Sequence, residues 1–248
     1  NRNMVLTTLA GTVLGLGMTS ALAYLPTYLQ MVHELTPTDA GLMMLPMVLG
    51  MLGTGTAVGF IISRTGRYKM YPLSGMLITT VGLFLFSRLS VDTSLTVLGI
   101  YMFIFGFGLG LVMQVLVLIV QNSFPLAQVG TATSTNNFFR QIGSAIGASL
   151  SGSLFIHNMR EKLEERLPEA LAKLGEEGAA LGKQFGEGAA NSLTPSSVAQ
   201  LPQPVKEVVL SSYNDGLTPV FLLMVPLAII AFVILLPVKE DPLKEDLS

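Results

Sequence analysis

The chain has 248 residues, of which 50% are hydrophobic and 12% are charged, with a formal net charge of −2 and a mean hydropathy of +0.61. Soluble domains carry about 25% charged residues, so this composition excludes an ordinary soluble fold. The chain has no cysteine, which excludes disulfides and thiolate metal sites, and its two histidines, His33 and His157, are too far apart to predict a metal site. No basic stripe predicts nucleic-acid binding.

Six apolar runs follow one another along the chain, and each is predicted to be a transmembrane helix. A bilayer core of about 30 Å needs about 20 helical residues, and a helix satisfies its own backbone hydrogen bonds in lipid. The runs cover about 5–29, 40–62, 70–86, 95–120, 138–156 and 220–236, of which the third and sixth are the shortest. The predicted fold is an all-α integral membrane protein.

Basic residues in the short joints predict the orientation of these spans. Three cations lie between spans two and three, one precedes span one and two follow span six: Arg64, Arg67, Lys69, Arg2, Lys239 and Lys244. Six spans place all of these joints on one side, which the positive-inside rule makes cytoplasmic. The sequence therefore predicts a multi-pass protein of the cell membrane with both ends in the cytoplasm. Its first residues, beginning with Asn1 rather than Met, indicate a fragment of a longer protein.

Residues 157–216 are the part of the chain that looks water-soluble, and they are predicted to lie outside the cell. Apolar residues recur there at helical spacing among charges, at Met159, Leu163, Leu167, Leu171 and Leu174. Pro168 is predicted to interrupt this pattern, and 191–204 is predicted to be a loop. The segment is either a solvated linker or a helical hairpin over the exit. The predicted units are thus 1–156, 157–216, span six at 217–238 and a cytoplasmic tail at 239–248.

The basic joint after span two has a pattern of its own, with Gly59 followed by Ser63, Arg64, Gly66, Arg67 and Lys69. Gly59 permits close helix approach and Gly66 suits a left-handed helix end. The cations either only set the orientation or contact helix-end carbonyls, lipid phosphates or a carboxylate. The string resembles the Gly-x-x-x-Asp-Arg-x-Gly-Arg-Lys/Arg motif of the major facilitator superfamily, with Ser63 in place of the aspartate. In that family the joint takes part in gating, and the loss of the aspartate is typical of a second copy.

Two further strings resemble the fourteen-span multidrug proton-antiporter branch of the same superfamily. They are Tyr24-Leu-Pro-Thr-Tyr28-Leu-Gln30 with the Thr36-Pro-Thr-Asp-Ala-Gly41 joint, and Asn137-Phe-Phe-Arg140-Gln141-Ile-Gly143 in span five. The resemblance implies the C-terminal six-helix half of an exporter, built as a 3+3 inverted repeat, whose N-terminal half is absent. It places helices one, two, four and five around the cavity. The implied partners are the lipid bilayer, the missing half and an amphipathic small molecule.

Candidate cavity residues come from the polar and flexible positions in the spans: Tyr24, Tyr28, Met47, Gln114, Asn137, Arg140 and Gln141. Arg140 either reaches the headgroups or faces the cavity, because charge at membrane depth is costly. Gln114 either bonds a neighbouring helix or lines the substrate path. The methionines of span two suit varied apolar ligands or ordinary packing.

Glycines recur four residues apart in several spans and predict close helix packing. Gly106 with Gly110 and Gly143 with Gly147 are the main pairs, and Gly11/Gly15 and Gly55/Gly59 repeat the spacing. In a transporter such faces would also let helices slide.

No Asp or Glu lies inside the six predicted spans, which bears on the energy source. A proton-coupled pump needs a carboxylate or histidine that titrates, so the coupling acid is expected in the missing half, or at Glu34 or Asp39. The predicted function is proton-driven export of amphipathic or cationic compounds, without a cofactor. Alternatives are a scaffold that binds a partner through its outer segment and a transporter of one metabolite or lipid. An enzyme is not predicted, because the spans hold no catalytic pair.

Overall fold

The computed structural model describes residues 2–186 and 193–243, and within these ranges all regular structure is α-helical. Within these ranges nine helices follow in chain order: α1 (Arg2–Val32), α2 (Pro37–Met43), α3 (Leu45–Thr65), α4 (Met70–Phe86), α5 (Leu95–Asn122), α6 (Leu126–Ala172), α7 (Glu176–Gly186), α8 (Pro195–Ala199) and α9 (Gln203–Leu235). The predictions for residues 187–192 and for Lys244 lie outside the described ranges.

Local sequence signals fix several helix ends. The Thr36 hydroxyl accepts a hydrogen bond from the Asp39 amide at the start of α2, and the Ser94 hydroxyl caps α5 in the same way. Gly66 ends α3 with a φ of +70°, the left-handed conformation that glycine adopts without strain, and its N–H donates to the Ile62 carbonyl at 2.8 Å. Met44 separates α2 from α3, so predicted span two is interrupted near its start.

Two helices extend well beyond their predicted limits. α6 begins at Leu126 rather than near 138 and continues past the predicted end of span five to Ala172, and α9 begins at Gln203 rather than near 220. Pro168 lies inside α6 and does not interrupt it. Burial of Leu163 and Ala170 on either side of Pro168 holds the helix together there, which outweighs the hydrogen bond that proline removes. The predicted loop at 191–204 contains the short helix α8.

Four helical stretches of the described residues are long and apolar enough to cross a membrane. They are Arg2–Val32, Pro37–Thr65, Leu95–Asn122 and Gln203–Leu235. Met70–Phe86 is apolar but has only 17 residues. Predicted span five lies inside α6, which is outside this group of four. Four of the six predicted spans therefore meet the length and hydropathy criterion, and the other two stay predictions.

The helix directions follow from which residues meet at each crossing. α1 and α6 run parallel, because a Cβ built at Gly143 or Gly147 would meet the backbone of Thr12 or Leu16 respectively. α3 and α5 also run parallel, through the pairs Met47/Gly106 and Met51/Gly110. α4 runs antiparallel to α5, through the pairs Gly75/Leu111 and Gly82/Phe105.

α9 completes the arrangement by packing antiparallel to both α1 and α4. Tyr28 near the end of α1 bonds Asn214 near the start of α9, and the Phe86 ring at the end of α4 lies 5.4 Å from that of Phe221. The helices α1, α4 and α6 therefore point one way and α3, α5 and α9 point the other. Asn3 bonds the Lys239 backbone, so the described chain begins and ends at the same end of the bundle, which we call the basic end.

At the opposite end, a hydrogen-bonded cluster ties α1 and α9 to the α4–α5 joint. The buried Tyr28 hydroxyl donates to the Asn214 side-chain oxygen at 3.0 Å and lies 3.2 Å from the Ser90 carbonyl oxygen. The Asn214 amide nitrogen donates to the Leu89 carbonyl at 3.1 Å. These bonds satisfy the buried polar groups in place of water, because a buried polar group without a hydrogen-bond partner destabilises the fold.

The extensions of α6 and α9 beyond this cluster form a packed helical pair. The Arg166 guanidinium contacts the Asp215 carboxylate at 2.8 Å, and the Asn158 side chain donates to the Gly216 carbonyl at 3.3 Å. Lys206 of α9 forms an ion pair with Glu34 of the α1–α2 joint at 2.6 Å. Residues 157–216, as far as they are described, thus form a helical unit that packs on the bundle.

We expect Gly143→Ala to destabilise the protein by about 2–3 kcal/mol, because the added methyl would overlap the Thr12 backbone, which cannot yield without moving α1 from α6. Thermal unfolding of the full-length protein in detergent measures this effect. Gly53→Ala is the matched control, since a Cβ at that helical glycine meets nothing within 4 Å. Equal melting temperatures for both variants would contradict the close crossing.

We expect Tyr28→Phe to cost about 1 kcal/mol of stability, because the Asn214 oxygen and the Ser90 carbonyl lose a buried donor. The midpoint of thermal unfolding should fall by a few degrees. Tyr101→Phe on the half-buried part of α5 is the control, and it should leave the midpoint unchanged. A Tyr28→Phe midpoint equal to that of the wild type would show that the cluster adds no stability.

Candidate functional site

The basic joint lies between α3 and α4, and its cations are directed away from the bundle. Ser63 and Arg64 are exposed on the last turn of α3, where the Ser63 hydroxyl donates to the Phe60 carbonyl at 2.8 Å. The Arg64 guanidinium stacks on the Phe60 ring, 4.2 Å from its centroid. Arg67 is exposed and Lys69 is half-buried. The joint is therefore a cationic surface at the basic end, with Tyr68 as its buried anchor.

A groove of about 420 Å³ runs between α3 and α5 next to this joint. It brings together Gly59, Ser63 and Gln114, which the sequence singles out, with Gln121 at the end of α5. A Cβ at Gly59 would meet nothing within 4 Å, so Gly59 forms part of the open wall and does not permit a close crossing. Gln114 is exposed, and its side chain packs over Gly55. The groove is thus mainly apolar, with the Ser63 hydroxyl on its α3 wall and the Gln114 and Gln121 amides on its α5 wall.

A second polar group lies on α6 and reaches α5. The Arg140 guanidinium donates to the Asn137 side-chain oxygen at 3.1 Å and approaches the Met113 sulfur at 3.4 Å. Asn137 and Arg140 are both half-buried, and Gln141 is exposed beside them. Because Asn137 and Arg140 are three positions apart, both side chains lie on one face of α6.

Met113 and Gln114 follow one another on α5 and point about 100° apart, so the Arg140 group and the groove lie on adjoining sides of α5, towards α6 and α3 respectively. We call these adjoining sides together the polar face, formed by α3, α5 and α6 and defined by Ser63, Gln114, Asn137, Arg140 and Gln141. Arg140 is its only charged member. The half-buried Arg140 guanidinium already meets the Asn137 oxygen, and its remaining N–H groups can donate to further hydrogen-bond acceptors.

Three of the predicted cavity residues do not reach this face, and two of them are buried. Met47 is 3% exposed and packs against Gly106 at the α3–α5 crossing, and Tyr28 is fully buried in its hydrogen-bonded cluster. Met47 is held inside the bundle by its packing against Gly106, and Tyr28 is held there by its hydrogen bond to the buried Asn214. Gly106, Gly110, Gly143 and Gly147 lie at helix crossings where an added Cβ would meet neighbouring backbone.

Tyr24 is half-buried and lies apart from the polar face, beside a cavity of about 250 Å³. Its ring is 5.4 Å from that of Phe155, which is 4.8 Å from that of Tyr213. Neither Phe155 nor Tyr213 is predicted from sequence as part of a site. Helical spacing places Tyr24 and Tyr28 on one face of α1, but which rings of α6 and α9 meet them depends on the length of those helices.

No group of three or more metal-ligating side chains occurs among residues 2–186 and 193–243. At the basic joint, burial raises the pKa of the Tyr68 hydroxyl, which keeps this group neutral at physiological pH.

Comparison with known proteins places the sequence in a family. The profile of the Major Facilitator Superfamily matches residues 1–148. An uncharacterized MFS-type transporter from Mycobacterium tuberculosis is 36% identical over 233 residues, covering 94% of this chain and 32% of that protein. The multidrug transporter protein MdtP from Bacillus subtilis is 28% identical, covering 96% and 47% of the two chains. The efflux pump dotC from Dothistroma septosporum is 29% identical, covering 90% and 37%.

The chain thus spans between about a third and a half of the length of these relatives, as expected for a fragment. The prediction of a superfamily fragment from the basic joint and from spans one and five is confirmed. The relatives are transporters, and the prediction that the chain is not an enzyme is confirmed by them. With its family profile over more than half its residues and its bundle of long apolar helices, the chain belongs to the Major Facilitator Superfamily.

Proposed function

We propose that this chain is the C-terminal half of a secondary exporter in the cell membrane, which moves amphipathic or cationic compounds outward in exchange for protons. The observation that carries the proposal is the polar face: a membrane helix bundle presents Gln114, Asn137, Arg140 and Gln141 on one side. Polar groups at membrane depth are stable only against protein or water. The missing N-terminal half is the partner that would cover them and form the substrate path.

The packing pattern supports six crossings arranged as two inverted triplets. The first triplet is α1, α3 and α4, and the second is α5, α6 and α9. When the helices of the two triplets are matched in this order and exchanged, the α1–α6 contact becomes the α5–α3 contact. The same exchange converts the α1–α9 contact into the α4–α5 contact and leaves α4–α9 in place. Inverted repeats of this kind suit alternating access, in which two bundles rock about a site between them. Both ends of the chain would be cytoplasmic by the positive-inside rule.

Proton coupling in this proposal belongs mainly to the missing half. The predicted spans of this chain contain no carboxylate, and Glu34 at the end opposite the basic joint already pairs with Lys206 at 2.6 Å. Asp39 is exposed, and its carboxylate accepts a hydrogen bond from the hydroxyl of Thr36, the residue that caps α2. Neither acid is buried in the bundle. Relatives that carry the names multidrug transporter and efflux pump support export of small molecules.

We expect cells that produce the full-length protein to accumulate severalfold less of a fluorescent cationic dye than empty-vector cells. A protonophore should abolish the difference, because it removes the proton gradient. Time-resolved fluorescence after dye loading measures the efflux. Dye retention equal to the empty-vector cells would contradict multidrug export, and efflux that persists with the protonophore would contradict proton coupling.

We expect Arg140→Ala to lower the efflux rate about fivefold or more without loss of folded protein, because it removes the charge and the Asn137 hydrogen bond from the polar face. Arg88→Ala is the matched control, since Arg88 stacks on Phe84 in the α4–α5 joint, at the end of α4 opposite the basic joint. Efflux is compared at equal protein in the membrane. Wild-type efflux by the Arg140 variant would exclude a role of this side chain in transport.

A further inference from the structure

The chain after α9 turns back onto the basic end of the bundle. Val238 is 2% exposed, so the turn inserts an apolar anchor before the charged residues that follow. We call residues 238–242 the tail segment. Its side chains and backbone meet α1, the α3–α4 joint and the end of α5, which belong to different parts of the sequence.

Glu240 is the acidic residue of the tail segment that contacts the basic joint. Its carboxylate accepts hydrogen bonds from the Tyr68 amide at 2.5 Å and from the Lys69 amide at 3.1 Å. These amides lie at the start of α4, whose first turn contains no acidic residue and whose cap position, Lys69, makes no side-chain cap bond. A carboxylate on unsatisfied amides at a helix N-terminus forms charge-assisted bonds and is favoured by the helix dipole.

The rest of the tail segment is held by side chains from two other helices. The Asp241 amide donates to the hydroxyl of the buried Tyr68 at 2.7 Å. The Asn3 side chain of α1 bonds both the amide and the carbonyl of Lys239, at 3.1 and 3.0 Å. The Asn122 side chain at the end of α5 donates to the Asp241 and Pro242 carbonyls at 3.3 and 3.1 Å.

These contacts join the two groups of helices that the packing defines. α1, α6 and α9 form one group and α3, α4 and α5 form the other, with α4–α9 as the most extensive direct contact between them. At the end opposite the basic end, the Tyr28 and Asn214 cluster ties the two groups through the α4–α5 joint. The tail segment makes the equivalent tie at the basic end.

We propose that the tail segment is a latch in which the Glu240 carboxylate holds the α3–α4 joint to α1 and α9, and that transport requires this latch. The inference rests on the proposed function. Glu240 is a positioning residue: it touches no substrate and acts by keeping the two helix groups in register while the half moves as one body. Its loss lowers the rate of the conformational exchange and leaves substrate binding at the polar face unchanged.

The test uses the full-length transporter with Glu240→Ala, and dye efflux is measured against dye concentration. We expect the maximal rate to fall about three- to tenfold and the half-saturating concentration to stay constant, since the lost bonds are charge-assisted but solvent-exposed. Lys239→Ala is the matched control, because the tail contacts of Lys239 use its backbone and its side chain is exposed. Glu240→Gln retains an oxygen acceptor without the charge and should restore most of the rate.

A second experiment tests the latch contact independently of transport, by the rate at which a cysteine near Glu240 is labelled. This chain has no cysteine, so Lys69→Cys introduces a single reporter thiol beneath Glu240 once any cysteines of the other half have been replaced. Labelling by a membrane-impermeant maleimide on inside-out vesicles should be about three- to tenfold faster with Glu240→Ala than with Lys239→Ala. If Glu240→Ala does not reach the membrane, Glu240→Ser, which is polar but too short to reach the Tyr68 and Lys69 amides, replaces it in the same assay.

The outcomes separate the latch from the transport function. Equal labelling of the Glu240 and Lys239 variants would overturn the latch. Faster labelling with an unchanged maximal rate would overturn its requirement for transport. Faster labelling in a full-length protein that exports no dye would support the latch as a structural tie and would contradict the proposed exporter function.

Discussion

Close contact between helix backbones is the constraint on which the rest of this bundle depends. Lipid tails are as apolar as leucine side chains, so burial of apolar surface does not drive helices together within a bilayer. Gly106 and Gly143 permit the backbones of α5 and α6 to approach α3 and α1. Dispersion contacts and buried hydrogen bonds then supply the attraction, and they act only at short range.

Side chains larger than glycine are displaced from these crossings, which decides where polar groups remain exposed. α6 uses its glycine face against α1, with Arg140 half-buried at the edge of this crossing, and Asn137 and the exposed Gln141 lie further round the helix from α1. On α5, Gln114 continues the Gly106 and Gly110 face by one more turn, so it packs over Gly55 of α3 and lines the groove where the close crossing ends. The same small residues thus determine both the packing and the polar face.

The sequence predicted the class of fold and the location of the basic joint because both depend on composition and local pattern. Long apolar runs and the left-handed Gly66 are local features, and the helix ends near them were predicted closely. The extents of α6 and α9 were not, because apolar contact between the two helices stabilises stretches whose own composition is polar. Pro168 is the clearest case, since tertiary burial retains a helix that proline alone would interrupt.

The same distinction between local pattern and distant contacts applies to the site residues. Arg140 and Gln114 could be identified because polar side chains are rare in apolar helices. The burial of Tyr28 and Met47 could not be predicted, since it depends on Asn214 and Gly106, which lie about 190 and 60 residues away in the sequence. The contacts of the tail segment were missed for the same reason: neither α4 nor residues 238–242 alone shows that one supplies the acceptor for the other.

The continuity of α6 has a mechanical consequence. The helix passes without a joint from the glycine crossings to Ala172, so about 24 Å of rigid rod extends beyond residue 156. A change in the tilt of α6 against α1 is therefore magnified at the far tip, where α9 accompanies it. A molecule bound to this end of α6 would therefore oppose a change in its tilt and slow any movement of α6 against α1.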